Sequence, residues 1–189
     1  MTVNQIKKQL KSFQSDKRYE HSLNVAKAAI KLAEKYNCDK DKAELAGLLH
    51  DIMKEENGDN QLKIIAEGDV RLSDIELSMK KLWHQISSMV YARDVIGVED
   101  EDVLNAIRYH TSGRGNMSLL EKIIFVADVI SDDRNYNGVK EMRKIAYKNL
   151  DEAIAESIIN VINDLTEEKK FIIPDCIDAY NDAILKISN

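Results

Sequence analysis

The stretch DKDKAELAGLLHDIMK, residues 39–54, decides the fold that we predict for this chain. Asp39 is a good N-cap, because its carboxylate can accept hydrogen bonds from the first backbone N–H groups of a helix. Residues 43–49 are apolar nearly all round the helix, which is typical of a central and buried element. The helix ends in His50-Asp51, so two polar side chains stand at the end of a buried element.

Helical periodicity extends from this stretch in both directions, with apolar residues recurring at spacings of three and four. The sequence has only seven Gly and one Pro, which disfavours a sandwich or barrel with many tight turns. We predict one all-α domain of about nine to eleven helices. The predicted helices cover residues 2–14, 16–36, 39–52, 60–67, 73–81, 82–96, 99–110, 117–130, 139–148, 150–168 and 175–187.

Net charge and cysteine content narrow the function classes. A formal net charge of −6 argues against a broad nucleic-acid surface, which needs a basic face. Cys38 and Cys176 fit no zinc spacing and are typical of isolated thiols in a reduced, cytoplasmic protein. The N-terminus lacks the apolar core of a signal peptide, and no stretch approaches the roughly 18 apolar residues of a transmembrane helix. We therefore expect neither a nucleic acid nor a membrane as a partner.

The histidines give the first indication of a site. All four lie on or next to an apolar helix face: His21, His50, His84 and His110. One such histidine alone would be an ordinary part-buried residue. Asp51 and Asp128 also fall in apolar surroundings, where an unpaired carboxylate is costly. Convergence of all six side chains on a metal would satisfy them together.

The ligand types limit the metal and its chemistry. Nitrogen and oxygen donors without thiolate favour Fe, Mn, Co or Zn over a structural zinc–cysteine site. Asp51 has two carboxylate oxygens and can bridge two cations. Such a centre can polarise a phosphoryl oxygen and lower the pKa of water, which gives a nucleophile at neutral pH.

The order of these residues resembles a known signature. The series His21, His50-Asp51, Asp128 is similar to the H…HD…D signature of the HD-domain metal-dependent phosphohydrolases. His84 and His110 match the two extra histidines of HD proteins that hold a dinuclear centre. More specifically, the chain resembles the YqeK-type subfamily in four stretches: RYEHSLNVA (18–26), AGLLHDIMK (46–54), AIRYHTSGRGNMSLLEKIIFVADVISDDR (106–134) and FIIPDCIDAYN (171–181).

The resemblance implies a single HD domain over residues 1–189. Its metal-binding core would cover about 16–135, and C-terminal helices at about 139–188 would complete the nucleotide pocket. The implied activity is symmetrical hydrolysis of dinucleoside polyphosphates, in which metal-activated water converts diadenosine tetraphosphate to two ADP. The implied metal is iron in a mono- or dinuclear centre, with Mn, Co or Zn as alternatives.

The resemblance also implies residue roles. The catalytic residues would be Asp51 and Lys54. The principal metal ligands would be His21, His50, Asp51 and Asp128, with His84 and His110 completing a second metal position. Contacts to phosphate and nucleotide would come from Arg18, Lys54, His84, His110, Thr111, Gly113, Asp128, Arg134, Phe171, Ile172, Ile173, Pro174, Asp175 and Cys176.

Other interpretations stay open at this stage. The same metal chemistry would serve an HD phosphohydrolase of a nucleoside mono- or triphosphate or of an alarmone. A catalytically silent nucleotide or metal sensor and a helical protein with scattered histidines are further alternatives. In the enzymatic interpretations the partner is a small nucleotide, and a homodimer remains an alternative to a monomer.

Overall fold

The computed structural model describes residues 1–188, which form eleven α-helices and one π-helical turn, with no β-strand among them. The all-α prediction is therefore confirmed. The helices are α1 (Val3–Phe13), α2 (Asp16–Tyr36), α3 (Lys40–Leu49), α4 (Gly58–Glu67), α5 (Asp74–Ser78), α6 (Lys80–Tyr91), α7 (Glu101–Arg108), α8 (Leu119–Ile130), α9 (Val139–Lys148), α10 (Leu150–Glu167) and α11 (Pro174–Ile187). The π-helical turn, Ala92–Ile96, extends α6.

Helix starts follow the local sequence. The side chain of Asp39 accepts hydrogen bonds from the backbone nitrogens of Asp41 and Lys42, as expected of an N-cap. Pro174 occupies the first turn of α11, where its missing N–H costs nothing. These local signals explain why most predicted boundaries agree with the observed ones to within two residues.

The boundary between α5 and α6 differs from the prediction of helices at 73–81 and 82–96. The helix ends at Ser78, because Met79 has a non-helical conformation with φ −101° and ψ 74°. In a continuous helix, the backbone N–H of Lys80 would donate a hydrogen bond to the carbonyl of Glu76. That carbonyl accepts a hydrogen bond from the indole Nε1 of Trp83 at 2.9 Å. The tertiary contact of a buried tryptophan therefore moves the helix boundary.

The predicted helix 99–110 also ends early, at Arg108, because Tyr109 has the non-helical conformation of a C-cap. His110 consequently lies in the turn that follows α7. This turn lets the imidazole point inward instead of continuing the helical stripe.

Close packing of α2 against α3 positions the centre of the molecule. A Cβ atom on Gly47 would lie only 2.7 Å from the Cα of Ala26, so only glycine allows this approach of the two backbones. The apolar residues of α2, α3, α7, α8 and α10 form one large buried cluster, and Ile65, Trp83 and Ile86 form a small second one. The approach of α3 to α2 brings His50 and Asp51 beside His21.

Within residues 1–188, none of the helices has both the length and the apolar character that a membrane crossing requires.

Candidate metal centre

The carboxylate of Asp51 lies at the middle of a cluster that contains all four histidines. Its Oδ1 is 3.2 Å from Nε2 of His84 and 3.3 Å from Nε2 of His110. Its Oδ2 is 3.5 Å from Nε2 of His50 and 3.9 Å from Nε2 of His21. The two oxygens therefore face different pairs of imidazoles.

Asp128 closes the cluster on the side of α8. Its Oδ1 lies 3.0 Å from Nε2 of His21 and 4.0 Å from Nε2 of His50. The structure thus brings together all six side chains that the sequence singled out. They form three overlapping groups with ligand atoms within 4.8 Å of one another: His21, His50 and Asp51; His50, His110 and Asp128; Asp51, His84 and His110.

Backbone carbonyls orient two of the imidazoles. Nδ1 of His50 lies 2.7 Å from the carbonyl oxygen of Gly47, and Nδ1 of His110 lies 2.8 Å from that of Ile107. Because a carbonyl oxygen can only accept, each Nδ1 must carry the hydrogen. Each Nε2 then presents a lone pair to the centre, which is the form that binds a metal.

Asp133 orients a third imidazole, that of His21, and this role was not predicted from the sequence. Its Oδ2 lies 2.7 Å from Nδ1 of His21 and fixes the ring with Nε2 toward Asp51 and Asp128. A carboxylate behind a histidine ligand raises the basicity of that ligand. The only signal in the sequence was the position of Asp133 one residue before Arg134.

Several buried atoms in this cluster have no hydrogen-bond partner in the described residues. They are Nε2 of His21, Nε2 of His50 and Oδ1 of Asp51. Buried polar atoms without a partner are rare in folded proteins, because each pays the cost of lost hydration. Two imidazole lone pairs on the Oδ2 side of Asp51, and its Oδ1 oxygen on the other side, fit the binding of metal cations. These residues could therefore hold a divalent metal.

The protonation states suit a cation. Burial lowers the pKa of His50 to about 4, and burial also lowers the pKa of His84. Burial alone would raise the pKa of Asp51 and of Asp128, but the neighbouring histidines outweigh it and hold both pKa values low. At neutral pH the imidazoles of His50 and His84 are therefore neutral and the two carboxylates are charged, which suits the binding of a cation.

Three basic side chains border the centre. Nη1 of Arg18 donates to Oδ2 of Asp51 at 2.6 Å, and Arg134 donates to Oδ1 of Asp128. Nζ of Lys54 lies 2.9 Å from Nε2 of His84 and 3.8 Å from Oδ1 of Asp51. The three predicted phosphate-binding cations thus all reach the predicted metal ligands.

Three cavities meet at Thr111, beside His84 and His110. The lysine cleft, of about 380 Å³, is lined by Lys54, Gln61, Lys80, Lys81, His84 and Thr111. The C-terminal cavity, of about 240 Å³, has Thr111, Leu82, Ile173 and Cys176 in its walls. The third, which we call the Tyr136 cleft, has a volume of about 430 Å³ and touches His110 and Asp128. Lys80 and Lys81 were not predicted, because two adjacent lysines are usually an exposed helix start.

The predicted base-binding segment 171–176 divides between two places. Ile173 and Cys176 are buried and line the C-terminal cavity, whereas Phe171 is 60% exposed and lies in a separate cavity with Lys169 and Lys170. Ile172 and Asp175 are half-buried, and Pro174 begins α11 on the exposed side.

Gly113, predicted near the nucleotide, has a structural reason to be glycine. Its φ is +65°, and a Cβ there would lie 2.8 Å from the Cβ of Ala179. The turn that carries Thr111 therefore packs directly on α11, which couples the wall of the C-terminal cavity to the metal centre.

Comparisons with known proteins agree with this geometry. The sequence model of the HD domain family matches residues 18–133. The chain is 41% identical over 172 residues to a protein of Halalkalibacterium halodurans named bis(5′-nucleosyl)-tetraphosphatase, symmetrical, covering 91% of both chains. It is 39% identical to a Bacillus subtilis protein of the same name, over 88% of this chain and 89% of the other.

A solved structure from Clostridium acetobutylicum resembles the chain over its whole length. The TM-score is 0.95 at 40% identity, with 98% of each chain covered. That protein is described as a predicted HD superfamily hydrolase involved in NAD metabolism.

Proposed function

The chain belongs to the HD domain family, and from this premise we propose that it is a symmetrical bis(5′-nucleosyl)-tetraphosphatase. The reaction cleaves the middle anhydride bond of diadenosine tetraphosphate with water and gives two ADP. The proposal rests on one observation above all: the carboxylate of Asp51 lies between two pairs of imidazoles, and Nε2 of His21, Nε2 of His50 and Oδ1 of Asp51 have no hydrogen-bond partner in the described residues. The relatives of the chain bear the name of this enzyme.

The metal ligands follow from the two faces of Asp51. His21, His50 and Asp128 would join Oδ2 of Asp51 in holding the principal metal. His84 and His110, next to Oδ1, would hold a second one. When bound, a divalent metal polarises phosphoryl oxygens and lowers the pKa of water in the site. We propose iron in a dinuclear centre; mixed nitrogen and oxygen donors also suit Mn, Co and Zn.

The side chains around the centre would hold the polyphosphate. Arg18 and Arg134 present guanidinium groups, which match the geometry of phosphate oxygens, at opposite ends of the Asp51–Asp128 pair. Lys54 lies beside His84 and Asp51 and would neutralise the charge that develops on the bridging oxygen as the anhydride bond breaks. Burial lowers the pKa of Lys54, partly offset by Asp51, so its ammonium can also release a proton to that oxygen.

A local concentration of positive charge explains how a chain of net charge −6 binds a polyanion. Lys80 and Lys81 extend the lysine cleft away from Lys54. The lysine cleft would attract the outer phosphates before the substrate reaches the metal centre.

The decisive experiment is incubation of the purified protein with diadenosine tetraphosphate, followed by chromatography of the products. ADP as the sole product supports the proposal. AMP together with ATP would indicate asymmetrical cleavage, and no product at all would favour a sensor or another nucleotide substrate.

Elemental analysis of protein purified without added metal would identify the ion, and absence of Fe, Mn, Co and Zn would contradict the metal centre.

We also propose a location and an assembly state for the protein. A reduced, cytoplasmic location rests on the two free cysteines, Cys38 and Cys176, which are not joined in the structure. Homodimer formation and the absence of a nucleic-acid partner are tested by sedimentation with and without RNA.

A further inference from the structure

We infer that the Tyr136 cleft binds the second nucleoside of the dinucleotide, the one that the segment 171–176 does not contact. This inference rests on the proposed function and deepens it. It assigns a ligand to side chains of α10 and of the loop after α8 that no feature of the sequence identified.

The symmetry of the reaction requires two routes away from the centre. Cleavage in the middle of four phosphates leaves an adenosine with two phosphates on each side of the scissile bond. The protein has no symmetry of its own at this point, so the two equal arms must enter different surroundings. The C-terminal cavity, with Ile173 and Cys176, accounts for one arm.

The Tyr136 cleft is a second route that begins at the metal centre. His110 and Asp128 are part of its lining, and its volume of about 430 Å³ is in the range of small-molecule sites. Phe125 and Met142 supply apolar walls, and Tyr136, which is 39% exposed, presents an aromatic ring at the rim. An aromatic face and apolar walls suit the stacking of a purine base.

Polar side chains of the cleft are free to bind a ligand. The side chains of Asn137, Asn160 and Asp164 make no hydrogen bond or ion pair within residues 1–188. A carboxamide can pair with N6 and N7 of adenine at once, and a carboxylate can accept from ribose hydroxyls or from N6.

The charge of the cleft distinguishes a nucleoside from a phosphate chain. Its lining contains no lysine or arginine, whereas the lysine cleft on the other side of Thr111 has three lysines. Arg134 binds Asp128, which is part of the lining of the Tyr136 cleft. Phosphates would therefore stay near Arg134 and Lys54, and the uncharged base and sugar would extend past Tyr136.

The Tyr136 cleft and the C-terminal cavity share Thr111, Val161 and Asp164 in their walls. A single groove that holds one nucleoside is therefore the competing arrangement. A nucleotide inhibitor with only one adenosine separates the two arrangements. If the cavities are separate subsites, its base can occupy the C-terminal cavity and leave the Tyr136 cleft empty.

The experiment compares Asn160→Ala with Asn163→Ala. Asn160 lines the cleft from α10, and Asn163 is an exposed asparagine one turn further along the same helix that lines none of the cavities described. For each variant, the KM for diadenosine tetraphosphate and the inhibition constant of adenosine 5′-tetraphosphate are measured. A Tyr136→Ala variant tests the aromatic wall in the same assays.

We expect Asn160→Ala to raise the KM for the dinucleotide about fivefold, the effect of one hydrogen bond, with at most a twofold change in the inhibition constant. Tyr136→Ala should give the same pattern, and Asn163→Ala should change neither constant. Equal increases in both constants would show one continuous groove, and no increase in KM would leave the cleft without a ligand; either result overturns the inference. Failure of the wild type to release ADP would instead contradict the proposed function.

Discussion

The buried metal centre and the open clefts around it differ in how their polar groups are satisfied. In the centre, Nδ1 of His21, His50 and His110 is bonded within the chain, whereas Nε2 of His21, Nε2 of His50 and Oδ1 of Asp51 have no partner in the described residues. In the clefts, Lys81, Asn137 and Asn160 are exposed, and their side chains form no hydrogen bond within residues 1–188. The reactive groups are therefore preorganised, whereas the groups proposed for recognition are left for the substrate to order.

The largest effect should come from the middle of the centre. Asp51→Asn removes the negative charge that the proposed metal positions need while it keeps the size of the side chain. We expect turnover to fall roughly a thousandfold or more, because metal assistance contributes several kcal/mol to the transition state. Metal content by elemental analysis should fall in parallel, whereas Asp59→Asn, an exposed acid on α4, should change neither. An Asp51→Asn protein with full activity would contradict the assignment.

Acid should weaken the metal-free centre. Burial lowers the pKa of His50 from its ordinary 6.5 to about 4, so the unfolded chain takes up the proton first. The contribution of His50 to the free energy of unfolding is therefore complete above pH 6.5. It is lost as the pH falls to about 4, and the total loss is about 3 kcal/mol. Burial also lowers the pKa of His84, so this histidine contributes to the same loss of stability at low pH.

His21 contributes to stability with the opposite dependence on pH. Burial lowers its pKa, but the nearby carboxylate of Asp128 and the hydrogen bond with Asp133 outweigh burial and raise the pKa overall, so the contribution of His21 to stability is lost as the pH rises. Urea unfolding of chelator-treated wild type and His50→Gln at pH 7 and pH 4 isolates His50. The wild type should lose about 3 kcal/mol more than the variant between these pH values, and equal losses would refute the protonation state assigned to His50.

Loss of a residue that orients a metal ligand should have a smaller effect than loss of the ligand itself. Asp133→Asn weakens the hydrogen bond that holds Nδ1 of His21, and we expect metal affinity to fall by about 10–100-fold. Competition with a chelator measures the affinity. Asp132→Asn is the matched control, since Asp132 is exposed and pairs only with Lys27. The same affinity in both variants would show that Asp133 does not position His21.

The smallest effect should come from the lysine cleft. Lys81→Ala should raise the KM for diadenosine tetraphosphate about threefold and leave kcat nearly unchanged, because an exposed lysine attracts phosphate through screened charge. The increase should disappear at high salt. Lys63→Ala, which removes an exposed lysine of α4 paired with Glu67, should have no effect at either salt concentration.

The same contrast explains what the sequence could predict. Histidines and aspartates among apolar residues are conspicuous, because burial of such groups demands a partner; His21, His50 and Asp128 could be identified for that reason. The helices were predictable from apolar spacing and caps. Lys81 and Asn160 have the ordinary composition of a solvated helix face, and only the tertiary structure shows that they line cavities.

Side-chain contacts account for the other differences. The helix break at Met79 depends on a hydrogen bond from Trp83 to the carbonyl of Glu76, and the role of Asp133 depends on α2, 112 residues earlier in the chain. Neither contact follows from the spacing of apolar residues. The glycine at position 113 was associated with a ligand, but its packing on Ala179 gives it a reason of its own.

The hydrogen bonds behind the imidazoles also imply an order of maturation. His50 and His110 are each held by a carbonyl three residues earlier, so a single turn of chain is enough to aim them. The imidazole of His21 is oriented only once Asp133, which lies 112 residues later in the chain, has packed against it. A nascent chain would thus acquire two correctly directed imidazoles early and the third last. Binding of one metal by all of these imidazoles would therefore require the long-range contact between α2 and Asp133 as well as the local turns.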